Sequence, residues 1–260
     1  VPRPEDVVFP RRKERLQDRR TEDHQRKLLD EFFDHRTLLT ISSLVTQGQF
    51  DSLDYPISTG KEGGVFRASG GGGLRAVKIY RIGNAVFRHL PAYALEELKR
   101  EASVTNHARL IYAWTRREHS ILRKLRTANV QVPDTYGYLR NVLVMEFVGH
   151  GEIAAPRLQE TRLEDPDLFY ESMVADLRRM VVDAKLVHGD LSPYNVLVRD
   201  GKPVLIDVAQ AIGTDHPQAA ALLRRDIANF ARYFDRLGVD TDVDRFLEAV
   251  GGIPTPVVEA

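Results

Sequence analysis

One stretch late in the chain restricts the fold more than any other. It reads His188-Gly189-Asp190-Leu191-Ser192-Pro193-Tyr194-Asn195, then an apolar run, an Asp200-Gly201 dipeptide and Leu205-Ile206-Asp207. Asp-Gly between apolar runs signals a two-residue hairpin, because both turn positions need positive φ. Such a turn pairs Arg199 with Lys202 and sets Asn195 opposite Ile206. Asp190, Asn195 and Asp207 then converge at one end of a hairpin. An amide oxygen beside a carboxylate is a pair of hard ligands suited to Mg2+, which keeps several waters and phosphate oxygens. A carboxylate just upstream can take a proton from a hydroxyl or orient a water.

Earlier in the chain the hydrophobic period is two. Ile57–Thr59, Val65–Ala68 and Arg75–Tyr80 read as strands separated by glycine-rich turns at 60–64 and 70–73. The first turn, Ser58-Thr59-Gly60-Lys61-Glu62-Gly63-Gly64-Val65, partly fits G-x-G-x-x-G-x-V: Gly60, Gly63 and Val65 match, and Ser58 replaces the first glycine. Bare backbone N–H groups of such a turn can bind phosphate oxygens. It is not a Walker A loop, which needs Gly-Lys followed by Ser or Thr. The third strand sets Lys78 among apolar residues, and a later helical stripe of Ile111, Trp114, Ile121, Leu122 and Leu125 contains Glu118. A carboxylate facing a core must find a partner or protonate, and pairing it with the strand cation is the economical solution; the alternative sets Glu118 at the stripe's edge in solvent, with Lys78 reaching out to water.

The remaining pattern sets the organisation. Residues 1–33 form a charged arm, and Asp34 caps a helix carrying Leu38, Ile41, Leu44 and Val45. Residues 81–110 lack a clean period and read as a mobile insertion. Tyr136–Leu139 and Val142–Phe147 are a strand pair, with a hinge at Gly149 and Gly151. Pro166 opens a helix with a stripe of Phe169, Met173, Leu177, Met180, Val181 and Ala184. A last helix carries Leu223, Ile227, Phe230, Phe234 and Leu237. The expected fold class is α+β: a small β-rich lobe over 34–149, then a mostly helical lobe over 150–260.

Composition removes whole classes of function. Without cysteine there is no disulfide framework, thiolate metal site or cysteine nucleophile. No apolar run reaches the roughly 18 residues of a membrane span, and the Arg-rich N-terminus is not a signal peptide. A soluble, cytoplasmic protein with no membrane partner is expected. Net charge is zero, yet residues 75–126 hold 12 basic against 4 acidic side chains and residues 150–260 hold 12 against 19. The basic segment suits contact with a polyanion such as RNA.

The order of parts is a glycine-rich hairpin, a strand lysine, a helix glutamate, a hinge, H-x-D-x-x-x-x-N and a strand ending in Asp. This is the order found in protein kinases. Over roughly residues 34–240 the chain resembles the RIO family of atypical protein kinases, particularly its type-1 branch. The matching segments are Ser58–Glu62, Ala76–Tyr80, Trp114–Glu118, Leu186–Ser192, Tyr194–Val198 and Leu205–Val208. His188-Gly189-Asp190 stands where ordinary kinases have H-R-D, Ile206-Asp207-Val208 where they have D-F-G, and Ser192 where they have a lysine. Only 53 residues of this sequence follow Asp207, without Ala-Pro-Glu, and an ordinary activation segment and peptide-docking half are expected to be absent. Gly63-Gly64 departs from the family, whose members usually carry bulkier residues there, and the departure bears on how tightly phosphate is gripped.

The resemblance implies a bilobal kinase-like fold and a Ser/Thr kinase or ATPase using ATP and Mg2+, with Mn2+ as a substitute. Lys78 would hold the α/β-phosphates, oriented by Glu118. Ser58, Thr59, Gly60, Lys61, Glu62, Gly63 and Val65 would cover them. Met145, Glu146 and Val148 would flank adenine, Asn195 and Asp207 would carry the metal, and Asp190 would be the base. His188 would brace the loop and Tyr194 would pack. By family analogy the partner is a protein substrate or a pre-ribosomal particle of the small subunit. Two other readings share these motifs: a small-molecule phosphotransferase of the aminoglycoside or choline kinase kind, and a silent nucleotide-binding scaffold.

Overall fold

The structure, a computed structural model, describes residues 33–60, 63–70, 72–82, 91–101 and 106–252. The expected N-terminal arm lies outside these apart from Phe33, which is buried against Phe66 at 5.2 Å between ring centroids. The chain divides into two compact units. The first takes the described residues through His119 together with Thr135–Phe147. The second takes Ser120–Asp134 together with the described residues from Val148 onward.

In the first unit, helix α1 (His35–Thr46) starts where the Asp34 side chain accepts a hydrogen bond from the Thr37 N–H at 2.7 Å. Strands β1 (Ser52–Thr59), β2 (Gly63–Gly70), β3 (Gly73–Tyr80), β4 (Thr135–Leu139) and β5 (Val142–Glu146) form one antiparallel sheet in the order β1-β2-β3-β5-β4. Ile41 and Leu44 of α1 share a core with Leu53, Phe66, Val77, Ile79, Val142 and Val144. Each such side chain contributes about 1.5–3 kcal/mol by leaving water, so this cluster sets the sheet's inner face.

The stretch read as a patternless insertion contains helix α2 (Ala92–Glu101), with Tyr93, Ala94 and Leu98 buried. Its apolar stripe is three residues wide and is interrupted by Glu96, Glu97, Lys99 and Arg100, so hydrophobic period alone does not reveal it. Residues 83–90 and 102–105 lie outside the described residues. Helix α3 (His107–Thr127) then buries the expected stripe, including Ile111, Trp114 and Leu125. Arg117 is also buried, so part of the basic segment serves the interior.

In the second unit, hairpin β6 (Gly149–His150) and β7 (Ile153–Ala154) precedes helix α4 (Pro166–Arg178), which is capped by Asp165 accepting from the Leu168 N–H at 3.0 Å. Strand β8 (Leu186–Val187) pairs with β11 (Ile212–Gly213), and between them lies the hairpin of β9 (Val196–Arg199) and β10 (Lys202–Leu205). Helices α5 (Ala219–Asp235) and α6 (Val243–Ala249) complete the unit. Its core joins Phe169, Met173 and Leu177 to Phe230, Phe234 and Phe246. Leu237 leaves the expected stripe and is 41% exposed, because α5 ends at Asp235. Tyr194 is 55% exposed and does not pack. Among the described residues no helix is long and apolar enough to cross a membrane.

Candidate active site

Lys78 lies in the middle of β3, paired with Val65 on one side and Leu143 on the other. Its ammonium reaches Glu118 Oε1 of α3 at 2.7 Å, with the lysine side chain 12% exposed and the glutamate 2%. The strand and helix thus solve their two burial problems together. The glycine-rich turn closes through a Gly60 N–H to Gly63 O hydrogen bond of 2.9 Å, with Ser58 and Thr59 of β1 opposite Val65 and Gly64. Lys61 and Glu62 lie outside the described residues. Gly63 has a packing role that the sequence does not reveal. A Cβ there would collide with the Ile79 carbonyl oxygen, so glycine is required where β2 runs close against β3.

Met145 and Glu146 end β5 opposite Ala76 and Arg75, and both are half-buried. Val148 belongs to the second unit, where it is buried and its carbonyl accepts from the Ala155 N–H at 2.9 Å.

The second unit assembles the acidic cluster around the hairpin. The turn has φ of 52° at Asp200 and 71° at Gly201, the values of a type I′ turn, and the ladder runs Lys202–Arg199 to Leu205–Val196. It continues with Ile206 N–H to Asn195 O at 3.0 Å, as the spacing predicts. Asn195 Nδ2 donates to the Asp190 backbone carbonyl at 2.7 Å and lies 3.4 Å from Asp190 Oδ2. With the amide nitrogen committed there, Asn195 Oδ1 is left as the side chain's acceptor. Asp207 sits at φ 58°, ψ 47°, a left-handed conformation uncommon outside glycine and concentrated at functional sites. It opens the 3-10 turn Val208–Gln210, which brings Gln210 Nε2 within 3.4 Å of Asp190 Oδ2. Partial desolvation beside the loop pushes the Asp190 carboxyl up, as does the Asp207 charge, against the lowering effects of Arg225 and Asn195.

A metal ion fits this donor set only in part. Asn195 Oδ1 and the Asp207 carboxylate are hard oxygens, and among the described residues no group of three or more His, Cys, Asp or Glu side chains could enclose an ion. A cation here would need water and phosphate oxygens to complete its shell, which is how Mg2+ is usually held.

Residues outside these sequence motifs anchor the loop. Asp226 of α5, 1% exposed, accepts hydrogen bonds from the backbone of Gly189, at 2.8 Å, and of Leu191. Burial pushes its carboxyl up to about 6, with Arg225 and these N–H groups opposing the rise. The Arg225 guanidinium donates to the Gly189 carbonyl. His188 is buried, its Nε2 3.2 Å from Ile206 O, and burial lowers its pKa to about 4, so the ring is neutral and braces the two strands. The signal for Asp226 was present: it falls between Leu223 and Phe230 at helical spacing, an acid on an apolar stripe, as Glu118 is. Tyr80 and Gln210 carry no comparable mark.

The RIO domain family matches residues 64–246. The RIO-type serine/threonine-protein kinase Rio1 of Haloferax volcanii is 43% identical over 229 residues, covering 88% of this chain and 79% of that one. The Rio1 of Methanocaldococcus jannaschii is 35% identical, covering 90% and 81%. The human serine/threonine-protein kinase RIO1 is 34% identical over 82% of this chain and 39% of its own length. A Rio2 kinase from Chaetomium thermophilum superposes with a TM-score of 0.65 at 22% identity, over 85% of this chain and 67% of that one, which shows the α+β kinase-like fold. With a family match over most of its length and these relatives, the chain belongs to the RIO family, among the Rio1-type serine/threonine-protein kinases.

Proposed function

We propose that the chain transfers the γ-phosphoryl group of ATP with Mg2+, and that Asp207 is its first acceptor. Lys78, oriented by Glu118, holds the α/β-phosphates beneath the Ser58–Val65 turn, and Met145, Glu146 and Val148 flank the adenine. Asn195 and Asp207 are the protein ligands of Mg2+, which neutralises phosphate charge when bound. The observation that supports this most is Asn195: its nitrogen is tied to Asp190, which leaves its oxygen to serve as a hard ligand. The Asp207 carboxylate attacks the γ-phosphorus, the bond to the ADP oxygen breaks, and an aspartyl-phosphate forms. Asp190 then takes a proton from the water that releases inorganic phosphate, or from a substrate hydroxyl. The Chaetomium Rio2 kinase was crystallised as an ADP/Mg2+-phosphoaspartate complex, which favours the same chemistry here.

Incubation with γ-labelled ATP tests this. Protein-bound label should survive acid and be lost to hydroxylamine. Asp190→Asn should retain label while turnover falls, and Asp207→Asn should lose both. Label confined to Ser or Thr and stable to hydroxylamine would make Asp207 a metal ligand only.

By family resemblance, the partner we propose is a pre-ribosomal particle of the small subunit, contacted through the basic 75–126 segment. Co-purification of such particles from the native host supports it. Binding to ribosomal RNA should weaken steeply with salt as counterions are released, and salt-indifferent or absent binding removes the RNA contact.

A further inference from the structure

Tyr80 closes the charged pair of the first unit from the other side of the carboxylate. Lys78 and Tyr80 are two residues apart on β3, so their side chains leave the same face of the strand. Lys78 Nζ takes Glu118 Oε1 at 2.7 Å, and the Tyr80 hydroxyl donates to Glu118 Oε2. The tyrosine ring also faces the cation, with Nζ 5.0 Å from its centroid. One side chain therefore touches both members of the ion pair.

The backbone that carries this side chain is fixed. The Tyr80 N–H donates to the Asn141 carbonyl at 2.9 Å, and Asn141 Nδ2 donates to the Tyr80 carbonyl at 2.8 Å and to Thr37 Oγ1 of α1 at 3.0 Å. Tyr80 and Asn141 are both buried. A tyrosine so anchored presents its hydroxyl at one place.

A glutamate held by one ammonium can turn about its last torsion, which is broad, and exchange its two oxygens. A second donor on the other oxygen selects one orientation. An ammonium has three N–H donors, so fixing the direction of one sets where the other two point. We infer that Tyr80 is a positioning residue for nucleotide binding: it locks Glu118 and thereby aims the Lys78 ammonium at the phosphates. This rests on the reading of Lys78 as the phosphate-holding cation. Kinase activity requires the Lys–Glu pair to be in place. Here two donors from one strand hold one carboxylate, so releasing the helix residue breaks both bonds at once.

The test compares Tyr80→Phe, which keeps the ring over Lys78, with Tyr80→Leu, which removes both contacts. Losing a hydrogen bond to a charged group corresponds to about a ten-fold effect. Tyr80→Phe should raise KM for ATP about ten-fold and change kcat less than KM; Tyr80→Leu should raise KM further. In a Lys78→Met background, adding Tyr80→Phe should leave the Kd of a fluorescent ATP analogue unchanged, because there is no ammonium left to aim. A wild-type KM in Tyr80→Phe overturns the inference, as does an equal loss of affinity in both backgrounds, the mark of a merely structural role. If Tyr80→Leu does not fold, the Phe variant decides alone. Unchanged KM and Kd in Lys78→Met by itself would instead sink the reading of Lys78, and the role of Tyr80 with it.

Discussion

The two units solve the problem of polar groups near a core in opposite ways. In the first, the charges face one another: Glu118 is buried and Lys78 half-buried, 2.7 Å apart, and Tyr80 takes the second carboxylate oxygen. In the second, the acid in the loop stays at the surface and its support is hidden. Asp190 is exposed, while Asp226 beneath it is buried and holds the Gly189 and Leu191 N–H groups. A buried ion pair is rigid and intolerant of losing either partner. A surface carboxylate on an anchored loop keeps access to reactants, and the anchor takes the burial penalty. Rigidity suits gripping a nucleotide, and access suits moving a proton.

Breaking the first arrangement should have the largest effect. Lys78→Met and Glu118→Gln should each abolish most turnover, because each removes one member of a pair that works as a unit; stranding the other also costs stability, about 3–5 kcal/mol for a fully buried pair and less at the partly exposed lysine. The double variant should be little worse than either single one. Additive losses in a double-mutant cycle of kcat/KM would show that the two do not act together.

The anchor of the second unit should show in the pH dependence of stability. The Asp226 carboxyl rises from 3.8 to about 6, so the folded state binds the extra proton and this residue's contribution falls as pH rises through that window. His188 moves from 6.5 down to about 4, so the unfolded state binds the extra proton and stability rises with pH over nearly the same window. At about 1.4 kcal/mol per pH unit the two effects are each about 3 kcal/mol, and they oppose one another. The wild-type protein should therefore show a shallow slope between about pH 4 and 6. Asp226→Asn, which removes one of the two, should expose a rise with pH. Urea unfolding at several pH values measures it, and an unchanged slope in the variant would place the compensation elsewhere.

Smaller effects separate support from chemistry. Gln210→Ala removes a long contact of 3.4 Å to Asp190, so turnover should drop only a few-fold with no loss of folding. Asp34→Ala removes the α1 cap and should cost about 1 kcal/mol in stability, leaving the KM for ATP unchanged. A large activity loss in the cap variant would mean that α1 shapes the nucleotide-binding residues as well as the core.

Local rules were enough for the hairpin that carries Asn195 and Asp207. An Asp-Gly turn has one dominant geometry, and a ladder propagates register residue by residue, so Asn195 opposite Ile206 follows from the sequence. The pairing of Lys78 with Glu118 was also legible, because a cation and a carboxylate on two apolar faces each need a partner, and each can serve as the other's. What only the tertiary structure decided involves groups with no local mark. Tyr80 looks like an ordinary strand residue until the fold brings Glu118 to its hydroxyl. Gln210 reaches Asp190 only because Asp207 turns left-handed. Helix α2 buries Tyr93, Ala94 and Leu98, a set too small to show as a period in the sequence. Sequence periodicity reports which face of an element is buried. Contacts between elements distant in sequence depend on how those faces pack, and that packing is a property of the whole fold.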